Sequence, residues 1–243
     1  MEEWSRTERL IGEDGVSRLR NASVAVFGIG GVGGYTVEAL ARAGIGRLLL
    51  VDADRVDVSN INRQIIADHT TVGRYKTEVM RERIARINPE AVVETKEVFY
   101  LPEEHGGIDL ADFDFVVDAV DTVSAKLELI VRAEEAGVPV ISCMGAGNHL
   151  DPTKLTVTDI YKTTMCPLAK VMRRELKKRG IRRCKVVYST EEAIAVRDED
   201  SAAAETRSNT PRRKVAPGSI SYVPAIAGMM AAGEVIRTLL ETK

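Results

Sequence analysis

The sequence predicts an α/β protein: a Rossmann-like, doubly wound, mainly parallel sheet that carries a C-terminal α+β extension. Three observations predict it. An apolar run at 24–27 breaks into Gly28-Ile-Gly30-Gly31-Val-Gly33 and passes into a helical pattern. A second apolar run at 48–51 ends in Asp52, nineteen positions after Gly33. Strand and helix signals then alternate to about residue 150, as expected where helices cover both faces of a parallel sheet. Glycines followed by a helix and then an acid-tipped strand are the pattern of a nucleotide-binding βαβ unit. The turn lets a phosphate approach bare backbone and meet the N–H groups of a helix start.

The elements follow in order. Continuous Val, Ile, Leu and Phe runs predict strands at 24–28, 47–52, 91–98, 113–118 and 138–143, buried on both faces. Helical patterns lie between them at 32–43, 73–88 and 124–137. The middle one carries Tyr75, Val79, Met80, Ile84 and Ile87 as one stripe, and Asn88-Pro89 ends it. Beyond Asp151-Pro152 the character changes. Residues 154–160 alternate like a half-exposed strand, 168–179 form a helix with Leu168, Val171, Met172 and Leu176 on one face, and 185–189 make a short strand. The polar stretch 191–219 lacks apolar periodicity and is expected to be a mobile loop. A closing helix at 224–240 is rich in Ala and Gly, which suits close helix packing or a subunit contact. The organisation expected is a single domain over 1–243, with a nucleotide-binding core at about 20–150 and an extension at about 151–243.

Composition narrows the function classes. Of 243 residues 44% are hydrophobic and 29% charged, and the net charge of −2 gives no general attraction to nucleic acid. The cysteines Cys143, Cys166 and Cys184 form no CxxC pair, which argues against a disulfide framework or a zinc knuckle and fits a reducing cytoplasmic setting. His69, His105 and His149 have no metal-ligand spacing. The polar N-terminus is unlike a signal peptide, and the apolar stretch 223–233 stops at Glu234, too short for a bilayer. A soluble cytoplasmic protein with no membrane partner is expected.

Downstream of Asp52 stand Asp54, the block Ser59-Asn60-Ile-Asn62-Arg63-Gln64, Lys76 at the start of a helix, and Asp121-Thr122 after a strand. With the glycine turn, this ordered set resembles the ubiquitin-activating-like adenylyltransferase family of ThiF and MoeB type. The resemblance implies ATP and Mg²⁺ as cofactors and ligase-like chemistry, in which a carboxylate attacks the α-phosphate. Gly28, Gly30, Gly31 and Gly33 would cradle the phosphates, and Asp52 would hold the ribose. Asp54, Asn60, Gln64 and Thr122 would complete the nucleotide contacts. Arg63 and Lys76 would neutralise phosphate charge, and Asp121 would hold Mg²⁺. Simpler readings exist for each. Arg63 could pair with Asp57 or Asp68, Asp121 could cap the helix near Ser124, and Asp118 is a rival metal ligand. In the family an N-terminal arginine reaches ATP from a neighbouring subunit; Trp4-Ser-Arg6-Thr resembles that element, so Arg6 and a homodimer are implied.

The second half resembles one branch of that family, the tRNA threonylcarbamoyladenosine dehydratases, in Gly145-Ala-Gly147-Asn-His-Leu-Asp151-Pro152, Asp159-Ile-Tyr-Lys-Thr163, Pro167-Leu-Ala-Lys170 and Val186-Val-Tyr-Ser189-Thr-Glu191. The paired CxxC motifs of many sulfur-carrier activators are absent. The branch implies a tRNA substrate whose threonyl carboxylate becomes an acyl-adenylate with release of pyrophosphate; attack by the carbamoyl group then closes a ring and releases AMP. The alternative is adenylylation of the C-terminal carboxylate of a ubiquitin-like sulfur carrier, with a sulfur-transfer protein as a candidate partner. An NAD-dependent oxidoreductase or nucleotide sensor leaves Arg63, Lys76 and Asp121 unexplained. Charge segregation favours RNA: residues 162–185 hold ten Lys or Arg against one acid, Glu175. Lys170, Arg173, Arg174, Lys177 and Lys178 are the candidate tRNA contacts, with a second basic cluster at Arg207 and Arg212-Arg213-Lys214. Cys166, beside that basic helix, is the one cysteine expected in an exposed loop.

Overall fold

The computed structural model describes residues 2–101, 103, 106–195 and 217–241. Thirteen principal elements alternate along the chain: α1 (Ser5–Asn21), β1 (Ser23–Phe27), α2 (Gly33–Ala43), β2 (Arg47–Val51), α3 (Lys76–Ala85), β3 (Val92–Lys96), β4 (Phe115–Asp118), α4 (Val123–Ala136), β5 (Val140–Cys143), β6 (Leu155–Asp159), α5 (Pro167–Lys178), β7 (Lys185–Ser189) and α6 (Val223–Glu241). Seven strands form one sheet in the order β3-β2-β1-β4-β5-β7-β6. All pairs are parallel except β6 with β7. Strand order reverses between β1 and β4, which opens a crevice above their carboxyl ends. The C-terminal extension continues this sheet: β7 pairs beside β5, and β6 closes the edge.

Alternate strand residues serve opposite faces. Val24, Val26, Leu48, Leu50 and Val117 pack against Leu19 of α1, Leu40 of α2, Met80 and Ile84 of α3, and Ala231 and Val235 of α6. Ala25, Phe27, Leu49 and Val116 face Leu129 and Ala133 of α4. Leu127 and Ile130 of α4 also join Met172 and Leu176 of α5. The central strands β1, β2 and β4 are largely apolar because both faces are covered.

Several expectations change. The sequence reading placed no helix before β1, yet α1 spans Ser5–Asn21, interrupted at Gly12 where φ is +75°. Its mixed charge and that break hide the periodicity, but Trp4 anchors its start through Nε1, which donates to Arg42 O at 2.9 Å. The predicted helix 73–88 begins only at Lys76, since Tyr75 is extended and Gly73 has φ +86°. Strand β3 is shorter than 91–98 and, lying at the sheet edge, is half-buried only on alternate residues, with Val92 58% exposed. The centre of the expected mobile loop 191–219, with Arg207, Arg212, Arg213 and Lys214, lies outside the described residues, as does His105. The flanks of that loop are hydrogen-bonded: Ile194 N–H donates to Asn148 O, and Gly218 N–H to Asn148 Oδ1.

The closing helix exceeds the apolar stretch 223–233. At 19 residues with a mean hydropathy of 1.4, α6 is long and apolar enough to cross a membrane by length and composition, yet half of that window is buried inside the fold. A Cβ on Gly228 would fall 2.2 Å from Val32 O, and Gly228 O accepts from Thr36 Oγ1 at 3.0 Å. The small residues therefore let α6 press onto the backbone of α2. Glu234 is buried and pairs with Lys185 and Arg237, so α6 carries a charged anchor in its middle.

Gly33 is a similar close approach. A Cβ there would fall 1.8 Å from Gly28 O, so no side chain fits without moving the turn. Gly33→Ala is therefore expected to destabilise the fold by about 3 kcal/mol. A urea midpoint equal to that of the parent protein would refute this packing role.

Candidate active site

A cleft of about 390 Å³ opens at the carboxyl ends of β1, β2 and β4. Most of the residues singled out in the sequence meet there: Gly28, Gly30, Gly31, Asp52, Asp54, Asn60, Arg63, Gln64, Lys76, Asp121 and Thr122 all line it. Gly33 does not; it starts α2 and serves the packing just described. Gly28 has φ +86°, and a Cβ there would meet Ala119 O at 2.6 Å, so the turn must be bare.

Asp52 ties the turn to β2. Its Oδ2 accepts from Ile29 N–H at 2.6 Å and its Oδ1 from Asp54 N–H at 2.8 Å. Burial raises its pKa above the usual carboxylate value, opposed by the Lys76 ammonium and by those two N–H donors. Lys76 lies buried in the first turn of α3, 2.7 Å from Asp54 Oδ2 and 3.9 Å from Asp52 Oδ1. Asp54 itself is half exposed, so the ammonium has one partner that an incoming anion can replace.

The segment 57–64 is a compact capped turn. Asp57 caps it by accepting from Ser59 N–H, and Asn60 Oδ1 accepts from Asp57 N–H at 3.1 Å. Asn60 is thus partly spent on local structure, leaving its amide N–H₂ for the cleft. Arg63 pairs with neither Asp57 nor Asp68. Its Nη1 donates to Ser59 O and Asn62 Oδ1, both at 2.8 Å, and the residue is half-buried. Gln64 is buried, and its Oε1 has no hydrogen-bond partner among the described residues, a polar atom held ready at the cleft.

The two candidate metal ligands separate clearly. Asp118 is wholly buried; both its oxygens accept from Lys126 Nζ, at 3.2 and 3.1 Å, and Ser142 Oγ and Val120 N–H complete its shell. It has no capacity left for a cation. Asp121 is exposed at the cleft, touched only by the Thr122 hydroxyl at 3.3 Å among the described residues. It does not cap α4, whose N-cap is Thr122. No cluster of three or more ligating side chains exists among the described residues. One exposed carboxylate in a cleft that also holds Lys76 and Arg63 fits Mg²⁺, which takes one or two carboxylates and completes its shell from phosphates and water.

Other predicted residues lie elsewhere. Arg6 is exposed at the start of α1 and does not line the cleft of its own chain. On α5, Arg173 turns inward to Thr163 O at 2.9 Å, and Glu175 collects Arg174, Lys178 and Arg179 at 2.9–3.1 Å. Those ties hold Glu175 down to about 2, with Lys178 the largest contributor, then Arg179 and Arg174. The charge row is therefore partly self-neutralised, and Lys170 and Lys177 remain its unpaired members among the described residues. Cys166 caps α5, its Sγ accepting from Ala169 N–H at 3.4 Å. Cys143 and Cys184 are buried thiols pushed up to about 12. His149 is buried beside Glu191, at 3.7 Å.

The cleft also has walls the sequence reading missed. Val98, Phe99, Tyr100 and Leu101 form an apolar side, with Phe99 66% exposed; they follow β3 as an apolar run that the predicted strand had partly absorbed. Ala146, Gly147, Pro217 and Ser219 form the opposite rim. Small residues from two distant segments carry no local signal of such a role.

Residues 4–243 match the ThiF family. The chain belongs to it. A tRNA threonylcarbamoyladenosine dehydratase of Bacillus subtilis is 41% identical over 243 residues, covering 99% of this chain and 96% of the relative. One of Escherichia coli is 35% identical over 246 residues, covering 96% and 92%. The crystal structure of the Escherichia coli tRNA threonylcarbamoyladenosine dehydratase in complex with ATP aligns with a TM-score of 0.85 at 34% identity, covering 98% of this chain and 94% of that one.

Proposed function

We propose that this chain is an ATP-dependent tRNA threonylcarbamoyladenosine dehydratase. The observation that carries the reading is its likeness to dehydratases over nearly the full length of both chains, including the C-terminal half, where sulfur-carrier activators would place their paired cysteines. The whole chain then acts as one adenylation domain, its extension supplying the acceptor side.

In this reading the turn Gly28–Gly31 meets the phosphates with backbone N–H groups, and Asp52 holds the ribose hydroxyls. Arg63 grips phosphate oxygens, and Lys76 exchanges Asp54 for phosphate. Both place positive charge where negative charge develops as the carboxylate oxygen bonds to the α-phosphorus and the bond to pyrophosphate breaks. Asn60 and Gln64 add neutral hydrogen bonds. Asp121, with Thr122, would hold Mg²⁺, which supplies charge neutralisation on the departing pyrophosphate. Ring closure then forms a bond from the carbamoyl nitrogen to the activated carbonyl and releases AMP, for a net loss of one water. Purified protein with ATP, Mg²⁺ and threonylcarbamoyl-tRNA should give a nucleoside lighter by one water, read by mass spectrometry. Adenylylation of a sulfur carrier's C-terminus with no change in tRNA would overturn the reading in favour of the alternative.

Arg6 lies off its own cleft, so a role at ATP requires a second copy. Tyr222, just before α6, and Ile226 and Met229 on it are exposed at helical spacing and offer an apolar face for a homodimer. For tRNA, Lys170 and Lys177 are the strongest contacts. Lys170→Ala with Lys177→Ala should weaken tRNA binding and lower its salt slope by about two, with ATP affinity intact. An unchanged slope would move the phosphate track off α5.

The raised pKa of Asp52 sets a pH dependence. Its carboxylate takes up a proton at a higher pH than an ordinary aspartate, so ribose binding is complete above that point and falls off early on acidification. ATP affinity followed by titration should therefore decline with falling pH in the parent protein, and much less in Asp52→Asn. Parallel curves would remove Asp52 from the ribose.

A further inference from the structure

The cleft has one charged side and one side with no charged group. Among the described residues, every charged group lining it, Asp52, Asp54, Arg63, Lys76 and Asp121, comes from the first half of the chain. The far rim, Ala146, Gly147, Pro217 and Ser219, is small and uncharged. Such a wall neutralises no phosphate; it offers room and backbone groups to a bulky, hydrogen-bonding acceptor lying against the α-phosphate.

That rim is assembled around one residue. Asn148 has φ +62°, a left-handed conformation that asparagine tolerates better than most side chains. Its N–H donates to Gly218 O at 2.8 Å, its Oδ1 accepts from Gly218 N–H at 2.7 Å, and its O accepts from Ile194 N–H at 2.8 Å. One asparagine thus clasps both flanks of residues 195–217. The seating is tight: a Cβ on Gly147 would meet Pro217 Cβ at 2.9 Å. The same segment is tied to the phosphate side, because Asn62 Nδ2 donates to Ser219 O at 3.0 Å while Asn62 Oδ1 accepts from Arg63. A continuous path runs from Arg63 through Asn62, Ser219, Gly218 and Asn148 to Gly147.

We propose that Asn148 is a positioning residue for acceptor specificity: it holds the rim of Gly147, Pro217 and Ser219 as the wall against which the modified nucleoside of the tRNA lies, in register with Arg63. This rests on the dehydratase reading, and the experiment separates the two. Asn148→Gly keeps the left-handed backbone and removes only the Oδ1 bond to Gly218, whereas Asn148→Asp keeps an acceptor at that place. Initial rates of cyclised nucleoside formation are measured against threonylcarbamoyl-tRNA concentration, with ATP affinity and thermal stability measured alongside.

In Asn148→Gly the KM for the tRNA should rise about tenfold, the effect of losing one positioning hydrogen bond, with ATP affinity unchanged. Asn148→Asp should restore most of the loss. An unchanged tRNA KM in Asn148→Gly would overturn the proposal, as would a change confined to thermal stability or an equal loss of ATP affinity. If the parent protein forms no cyclised nucleoside, the dehydratase reading has failed instead.

Discussion

Arg63→Ala should lower the rate of AMP formation by a hundred- to a thousandfold and leave the protein folded. The size follows from what a preorganised donor contributes to a transition state that accumulates charge on phosphoryl oxygens, about 3–4 kcal/mol. The clean separation from stability follows from the local structure. Arg63 is half-buried, makes no ion pair among the described residues, and donates only to Ser59 O and Asn62 Oδ1. Losing two exposed hydrogen bonds costs a fraction of a kcal/mol. Lys76→Ala would be a less direct test, because Lys76 is the counter-charge of the buried Asp52. Single-turnover measurement of AMP, paired with a denaturant titration, checks the prediction. Wild-type turnover in Arg63→Ala would show that the phosphates lie elsewhere.

Lys126→Met should destabilise the protein by about 3–5 kcal/mol, among the largest effects available to a single change in this fold. Lys126 is 1% exposed and Asp118 is 0% exposed. The ammonium donates to both Asp118 oxygens and, at 2.7 Å, to Cys143 O. Methionine fills similar volume but leaves a carboxylate without its partner in a site closed to water, together with an unpaired carbonyl. The double variant Lys126→Met with Asp118→Asn removes the buried charge, so it should recover a substantial part of the loss; the coupling between the two changes is the signature of the pair. Urea midpoints at constant m-value read this directly. A loss under about 1 kcal/mol in the single variant would mean that water reaches the pair.

How much of this was legible beforehand depends on the range of the interactions. The glycine turn, Asp52, Arg63, Lys76 and Asp121 were readable because each sits at a fixed offset from a strand or helix end, and backbone periodicity carries those offsets along the chain. The choice of Asp121 over Asp118 rested on the family resemblance and not on the residues themselves. Both are acids at the end of one strand, and only Lys126, a turn into α4, and Ser142 of β5 decide that Asp118 is consumed internally. The basic helix misled in the same way. Its charges are plain in sequence, but that Arg173 points to Thr163 and that Glu175 gathers three cations depends on rotamers around a three-dimensional neighbourhood. Helix α1 escaped notice because its stability comes from Trp4 and Leu19 packing on distant elements.

By itself the sequence determined the alternating architecture, the position of the glycine turn and the identity of the charged groups around it. These follow from local propensity and regular spacing, which act over a few residues. Tertiary structure alone decided which of those groups stay free to act. It also built the uncharged rim, since Gly147 and Pro217 lie seventy positions apart and meet only when the sheet closes around Asn148. Burial and hydrogen-bond saturation are properties of the assembled interior, and no single stretch of chain contains them.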